Sequence, residues 1–326
     1  MRVRRGHVVA LLLALALLGA ACASDEGEPA SPSASAPPRA QIVAIVASVD
    51  LWAGDPQRVS VGLVTNENEL VSYGSVDFAF SYIGTAEEPA EPQPGPAATA
   101  TFVPTYGTEG KGGDTPAITL PSEARGVYEA TDVTFDRAGF WQVTVTADVE
   151  SVGPQTALAT LPVAEEPSLP APGDPAPPTE NLTLGSKGAP AAAIDSRAGT
   201  DGEVPDPELH RSTIATALER GRPALVVFAT PVYCVSQFCG PVTDMVQDLA
   251  GRYDDRATFI HVEIWEDYEE QALNEAATDW LQMPSGELTE PWLYLIDADG
   301  VIVDRWSSLW SEDEVAAALE ALPSRR

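Results

Sequence analysis

The chain has few basic residues, few histidines and few cysteines, and the shortage of positive charge excludes a class of function. Its 326 residues include 18 lysines and arginines against 49 aspartates and glutamates, which gives a formal net charge of −31. Nucleic-acid binding needs basic patches that neutralise phosphates, so no nucleic acid is expected as a partner. The same charge disfavours a protein that lies flat on an anionic membrane surface. The acidic side chains indicate a well-solvated surface.

Cysteine occurs only at Cys22, Cys234 and Cys239. Cys22 follows a basic start, an apolar run from Val8 to Leu18 and the small residues 19–21. A short apolar run that ends in small residues is typical of a secretory signal peptide rather than a membrane span. The end of this segment resembles a lipobox, which implies cleavage after residue 21 and a diacylglyceryl group on Cys22. An ordinary cleaved signal peptide is the alternative.

An exported protein seldom leaves one cysteine unpaired, so a lipid on Cys22 leaves Cys234 and Cys239 for each other. Residues 22–40 are mostly Ser, Pro, Ala and acidic residues, without apolar periodicity. We expect them to form a disordered tether, because such a segment cannot bury enough apolar surface to become ordered. The predicted location is the extracytoplasmic face of the cell membrane, with the lipid as the membrane partner.

Residues 41–164 are rich in short runs of Val, Thr and aromatic residues, with turn clusters at Gly84–Pro96 and Gly107–Pro116. Seven such runs predict an antiparallel all-β sandwich. The stretch from Asp136 to Trp141 resembles the corner before a late strand of immunoglobulin-like domains, so the first domain is predicted to be an immunoglobulin-like sandwich with Trp141 in its core.

The six prolines of residues 165–178 predict an extended, semi-rigid linker. From residue 179 to 326 the pattern changes to alternating strands and helices. The apolar run Ala224–Ala229 is typical of a strand buried on both faces, and a hairpin and a closing helix end the chain. This order predicts a mixed sheet covered on both faces, an α/β fold.

The run Ala224–Ala229 leads into a segment that contains Cys234 and ends in Phe238-Cys239-Gly240-Pro241, and a predicted helix follows. The end of this segment resembles the active-site pattern of thioredoxins, whereas the four residues between Cys234 and Cys239 are more similar to peroxiredoxin-type and Sco-type proteins. The resemblance covers residues 185–322 and implies a thioredoxin-like fold. A thiol at a helix N-terminus is favoured as thiolate, so we expect Cys239 to attack and Cys234 to resolve.

The sequence Glu290-Pro291-Trp292 precedes a predicted strand. The thioredoxin resemblance implies that Pro291 follows a cis peptide bond and faces the cysteines, where the three residues would contact a substrate. Two features depart from thioredoxins: Val227 stands where they keep a buried aspartate, and four residues instead of two separate the cysteines. In addition, Glu290 places a negative charge near the sulfurs. That charge is expected to raise the pKa of the cysteines.

The resulting hypothesis is a membrane-anchored thiol–disulfide oxidoreductase that acts on protein or small thiols and needs no cofactor. The first alternative is a non-catalytic binding or scaffold lipoprotein with a structural disulfide between Cys234 and Cys239. The second is a Sco-like copper(I) carrier, in which His261 joins the two thiolates. His210 is expected at the surface, and a core position is the simpler reading of His261.

Overall fold

The computed structural model describes residues 41–108, 112–199 and 202–323. The predicted signal peptide at residues 1–21, Cys22 and the tether up to residue 40 lie outside the described residues. Within the described ranges, no helix is long and apolar enough to span a membrane. The chain is predominantly β, with large antiparallel sheets.

The first region forms one antiparallel sheet that folds over a single core, because alternate residues along its strands are apolar and buried. Its nine strands are β1 (Ile42–Val46), β2 (Pro56–Thr65), β3 (Leu70–Ser72), β4 (Ser75–Gly84), β5 (Pro89–Pro104), β6 (Ala117–Thr119), β7 (Gly126–Thr134), β8 (Gly139–Val149) and β9 (Gly153–Val163). Hydrogen bonding follows the order β6-β3-β2-β7-β5-β4-β8-β9, and β1 pairs with β2. The prediction of an antiparallel all-β region is confirmed.

Strand β5 joins the two halves of this sheet, because it pairs with β4 up to Thr101 and with β7 from Thr101 to Pro104. The turn cluster predicted at Gly84–Pro96 is therefore wrong in part, since β5 begins at Pro89. The prolines between Pro89 and Pro96 lie where β5 has a neighbouring strand on one side only, and proline is tolerated on such an edge. Trp141 is 2% exposed, which confirms its predicted core position.

The second region has an α/β arrangement around a four-stranded sheet of order β11-β10-β14-β15. The strands are β10 (Ala224–Ala229), β11 (Thr258–Glu263), β14 (Trp292–Ile296) and β15 (Ile302–Ser307), and a small hairpin is formed by β12 (Trp265–Asp267) and β13 (Ala272–Leu273). The helices are α1 (Ala191–Ile194), α2 (Ile214–Glu219), α3 (Cys239–Tyr253), α4 (Glu275–Leu281) and α5 (Glu312–Ala321), with a 3-10 helix at Pro207–His210.

Both faces of the four-stranded sheet are covered, because successive residues of β10 belong to opposite cores. Leu225 and Val227 pack with α3 and α5. Val226 and Phe228 pack with α2 and α4. Strand β10 runs parallel to β11 and antiparallel to β14. The loop that carries Cys234 follows the C-terminal end of β10, a central strand whose residues are all buried.

The proline-rich segment 165–178 is not extended throughout, since the backbone N–H of Asp174 donates to Ala171 O in a turn, and it is held against the second region. The backbone N–H of Gly173 donates to Ile302 O, and Ile302 N donates to Asp174 O, at 2.8 and 3.0 Å. Leu169 and Ala176 are buried. The physical reason is that β15 is an edge strand whose free backbone groups need partners. The segment therefore packs along the edge of β15 and is not a free linker.

The first and second regions are in direct contact. Arg58 of β2 forms two hydrogen bonds with the carboxylate of Asp304 of β15, at 2.8 and 2.9 Å. Arg305 forms an ion pair with Asp50 at 2.9 Å and stacks over Trp52. The described residues thus belong to one compact unit.

Candidate functional site

The two cysteines lie between β10 and α3 and are joined as a disulfide with a Cα–Cα distance of 6.0 Å. Strand β10 ends at Ala229, a turn carries Cys234, and α3 begins at Cys239. The 6.0 Å separation lies within the range that disulfides adopt. The sequence therefore placed both cysteines at the correct junction.

The accessibility of the two cysteines differs. Cys239, the first residue of α3, is 0% exposed and packs in the core, whereas Cys234 is partly exposed. The backbone N–H of Cys239 points at Cys234 Sγ, at 3.4 Å, and Ser236 Oγ lies 3.2 Å from the same sulfur. The helix N-terminus is therefore aimed at Cys234. The exposure does not favour the expected attack by Cys239, since the more accessible of the two sulfurs belongs to Cys234.

Glu290 approaches both cysteines from the loop before β14. Its carboxylate oxygen and the two sulfurs lie within 4.8 Å of one another. Burial, with a smaller contribution from the charge of Glu263, raises the pKa of Glu290 to about 7. The carboxyl group is thus about half protonated near neutral pH and can give or take a proton beside the sulfurs. The Glu290–Pro291 peptide bond is cis, as the resemblance implies.

Trp292 does not present its ring to solvent. It is 2% exposed, its Nε1 donates to Thr289 Oγ1 at 3.1 Å, and its ring stacks with Tyr294 and lies against Arg305. The expected contact between Trp292 and a substrate is therefore not supported by its position. Alternation along β14 explains the burial, since Trp292 joins the core formed with Phe228.

Exposed apolar side chains surround the disulfide. Val235, between the cysteines, is 93% exposed, and Val232 is 55% exposed. Tyr233 stacks on Tyr268 with 3.8 Å between ring centroids. Sequence reasoning did not single out these residues, although the run from Val232 to Val235 is visible as an apolar stretch on a loop. Together they form an apolar rim around Cys234 that an extended peptide could contact.

His261 faces away from the thiols. Its Nε2 donates to Ala229 O at 3.0 Å, and its Nδ1 lies 3.3 Å from Asp195 Oδ2. The ligand atoms that lie within 4.8 Å of the sulfurs belong to Glu290, and those near His261 belong to Asp195 and His210. The Cys234, Cys239 and His261 copper set is therefore not assembled among the described residues.

His210 is buried, which corrects the expected surface position. It is 0% exposed, at the end of the 3-10 helix, with its ring centroid 5.2 Å from that of His261. Burial lowers the pKa of His210. Burial also opposes the charge on His261, but Asp195 outweighs it and the pKa of His261 is raised. Neither Asp195 nor His210 carried a motif that would have linked them to His261.

Comparisons with known proteins do not assign the chain to a family, since no protein-family model matches it and no curated protein matches it.

Proposed function

We propose that the chain is an extracytoplasmic thiol–disulfide oxidoreductase whose reactive group is the Cys234–Cys239 pair. The observation that carries this proposal is the asymmetry of the pair: Cys234 is accessible and receives the N–H of Cys239, while Cys239 is buried behind it. An accessible sulfur at a helix N-terminus is the microenvironment of reactive cysteines. A buried partner is suited to closing the disulfide after attack.

The proposed exchange runs through a mixed disulfide. The thiolate of reduced Cys234 attacks one sulfur of a client disulfide, forms a new S–S bond and expels the other client sulfur as a thiolate. The thiolate of Cys239 then attacks Cys234 Sγ, which restores the intramolecular disulfide and releases the second client thiolate. The client gains two electrons and the cysteine pair loses two. The reverse sequence oxidises a client dithiol.

Glu290 supports this chemistry as the group that exchanges protons with the pair. With a pKa of about 7 and a carboxylate oxygen within 4.8 Å of both sulfurs, it can accept the thiol proton of Cys239 before the second attack. The apolar rim of Val232, Val235 and Tyr233 supports binding of a protein client, and small thiols can also reach Cys234.

The proposed fold of residues 179–326 is thioredoxin-like, following an immunoglobulin-like sandwich at residues 41–164. The first part of this proposal is supported by the order β10, α3, β11, α4, β14, β15, α5 and by the mixed sheet with helices on both faces. The second part is supported by the folded-over antiparallel sheet and its single core.

A reduction potential tests the proposed function. The oxidised chain is equilibrated in dithiothreitol redox buffers, and the reduced fraction is measured by mass spectrometry after thiol alkylation. A potential above about −300 mV supports exchange, because structural disulfides lie below this value. A lower potential, together with no mixed disulfide with a model disulfide, would favour the scaffold alternative. The observation that favours the scaffold alternative is the full burial of Cys239 in the core.

The proposed location is the outer face of the cell membrane, with a lipid on Cys22. The support is the N-terminal segment that ends in small residues before Cys22. Replacing Cys22 with serine should move the chain from the membrane fraction to the soluble fraction. Membrane retention of Cys22→Ser would contradict the lipid anchor.

A further inference from the structure

A cluster of three buried side chains lies behind the cysteine loop, apart from the proposed redox site. Asp195 follows α1, His210 ends the 3-10 helix, and His261 lies within β11. All three are at most 1% exposed. Nε2 of His210 and Nδ1 of His261 each lie 3.3 Å from Oδ2 of Asp195. Three elements that are distant in sequence therefore bring two imidazoles and one carboxylate to one point.

The two rings are not satisfied by hydrogen bonds in the way that buried polar groups usually are. Among the described residues, three ring nitrogens of this cluster have no hydrogen-bond partner. They are both nitrogens of His210 and Nδ1 of His261. Both nitrogens that approach Asp195 do so at 3.3 Å, a separation at which only a protonated imidazole forms an ion pair with the carboxylate. A buried polar group without a partner destabilises the fold, and an ion shared by the three side chains would give each of these nitrogens a partner.

Hydrogen bonds with neighbouring groups hold His261 and Asp195 in fixed orientations, as is usual for metal ligands. The Nε2–H of His261 donates to Ala229 O, which fixes the ring and turns Nδ1 toward Asp195. A second hydrogen bond of this kind is the usual support of a metal-binding histidine. Asp195 Oδ1 accepts from the backbone N–H and from Nε of Arg197, at 2.8 and 3.1 Å, which fixes the carboxylate.

The distances fit a small divalent ion. Zinc binds imidazole nitrogen and carboxylate oxygen at about 2.0–2.1 Å, so tetrahedral ligands lie about 3.3 Å from one another. This is the separation between Asp195 Oδ2 and each histidine nitrogen. Imidazole with carboxylate suits zinc and its first-row neighbours. We propose that Asp195, His210 and His261 bind a divalent transition-metal ion, with water as the fourth ligand of a tetrahedral ion.

The charges nearby balance such an ion. Arg197 pairs with Asp195 and with Asp206, each at 2.7 Å. Glu263 is buried beside His261 and accepts from the backbone N–H of Ser196 at 2.8 Å. With neutral histidines, the two aspartates and Glu263 exceed the charge of Arg197 by two negative units, which a divalent cation neutralises.

The ion would also support the cysteine loop. Ser196 Oγ, next to Asp195, accepts the backbone N–H of Val232 at 3.2 Å. Fixing Asp195 therefore fixes a contact of the loop that carries Cys234. Since the three ligands are closed off from solvent, the ion is expected to enter as the chain folds and to exchange slowly afterwards.

The test uses the full chain with its disulfide oxidised. The chain is unfolded in guanidinium with a chelator, refolded with or without Zn²⁺, dialysed and analysed for metal by mass spectrometry. About one Zn²⁺ per chain is expected after refolding with zinc, as for a three-ligand site that is complete in the fold. The zinc-loaded chain should melt at a higher temperature than the metal-free chain. A refolded chain that retains no zinc would overturn the proposal and leave the cluster as a buried ion-pair network with a protonated histidine.

Variants identify the ligands. His210→Ala and Asp195→Asn should lose the bound zinc, whereas Asp244→Asn, which alters an exposed acid paired with Arg197, should keep it. The double variant Cys234→Ser/Cys239→Ser should also keep it. Equal zinc retention by His210→Ala and the unaltered chain would overturn the assignment.

A measurement on the unaltered chain decides the matter if the buried variants fail to fold. Zinc K-edge X-ray absorption should show two imidazoles and oxygen ligands without sulfur. Co²⁺ in place of zinc should give visible bands without thiolate charge transfer. Sulfur in the first coordination sphere would place the ion at the cysteines instead and contradict the proposal.

Discussion

The backbone N–H of Cys239, the first residue of α3, donates a hydrogen bond to Sγ of Cys234 at 3.4 Å. The same contact would stabilise a Cys234 thiolate after reduction, because the N-terminal N–H groups of a helix favour negative charge. Cys239, with 0% exposure, has no comparable access to a reagent. The pair is therefore built with one outward-facing and one inward-facing sulfur.

The first prediction concerns which sulfur reacts. In the reduced state, Cys239→Ser should form a mixed disulfide with Ellman's reagent at least about tenfold faster than Cys234→Ser, because only the former retains the exposed thiol. Stopped-flow absorbance measures both rates. Both variants should react at equal rates in denaturant, which controls for intrinsic thiol reactivity. A faster reaction of Cys234→Ser in the folded state would reverse the roles assigned to the two cysteines.

The sequence predicted the cysteine site because its signals are local. The apolar run Ala224–Ala229, the two cysteines and Pro241, which suits the first turn of a helix, all lie within one short stretch of chain. The roles of the two sulfurs were not predictable, since they depend on which side of the first turn of α3 meets the core. The alternation of apolar and polar residues does not predict which single residue of a turn is exposed.

The Asp195, His210 and His261 cluster was missed for the opposite reason. Its members lie on three separate elements, and only tertiary packing brings them together. Likewise, the proline-rich segment 165–178 carries the composition of a linker, but the edge of β15 offers it hydrogen bonds that no local pattern reveals. Sequence periodicity predicts helices and strands well. It does not predict which segment packs against the edge of a sheet.

A second prediction concerns Glu290 and the pH dependence of the reduced pair. The pKa of Glu290 is about 7, so its carboxylate charge develops as the pH rises through neutrality and disfavours a thiolate on Cys234. Glu290→Gln should therefore alkylate with iodoacetamide at pH 8 about threefold to tenfold faster, which corresponds to a thiol pKa lowered by about half to one unit. The difference should shrink at pH 5.5, where Glu290 is protonated.

The matched control is Glu287→Gln, which removes an exposed acid on the same loop. Its alkylation profile should follow that of the unaltered chain. If Glu287→Gln and Glu290→Gln accelerate alkylation equally, general surface charge rather than the contact with the sulfurs controls the thiol pKa.

A third prediction concerns the contact between the two regions. Arg58 pairs with Asp304 and Glu314 and stacks over Trp306. Arg58→Met keeps much of the apolar packing but leaves the two carboxylates without their cation, so the free energy of unfolding should fall by about 2 kcal/mol, allowing for partial solvent exposure. Denaturant titration followed by tryptophan fluorescence measures the change.

The control for this variant is Arg137→Met, because Arg137 forms a solvent-exposed pair with Asp136. Exposed pairs contribute little, so Arg137→Met should lower the free energy of unfolding much less than Arg58→Met does. Equal effects of the two variants would mean that the contact through Arg58 does not couple the regions.

The last prediction concerns Glu129, a buried carboxyl group at the same contact. Burial, with a smaller contribution from the charge of Glu314, raises its pKa from 4.5 to about 7, even though Ser60 Oγ donates to its carboxylate at 3.0 Å. The folded chain therefore binds this proton more tightly than the unfolded chain. The resulting stability is fully present below pH 4.5, falls as the pH rises from about 4.5 to 7 and is lost above that range.

Glu129→Gln keeps the size of the side chain and removes this proton equilibrium, so it should gain stability relative to the unaltered chain as the pH rises. The gain from pH 4.5 to pH 8 should be at most about 3 kcal/mol, since each pKa unit corresponds to about 1.4 kcal/mol. Chemical denaturation at a series of pH values measures this difference, and comparing the two chains cancels the similar titration of Glu290. Glu150→Gln, at an exposed position, should show no such gain. A Glu129→Gln variant whose stability runs parallel to that of the unaltered chain from pH 4.5 to 8 would mean that Glu129 is ionised throughout, with Arg58 outweighing its burial.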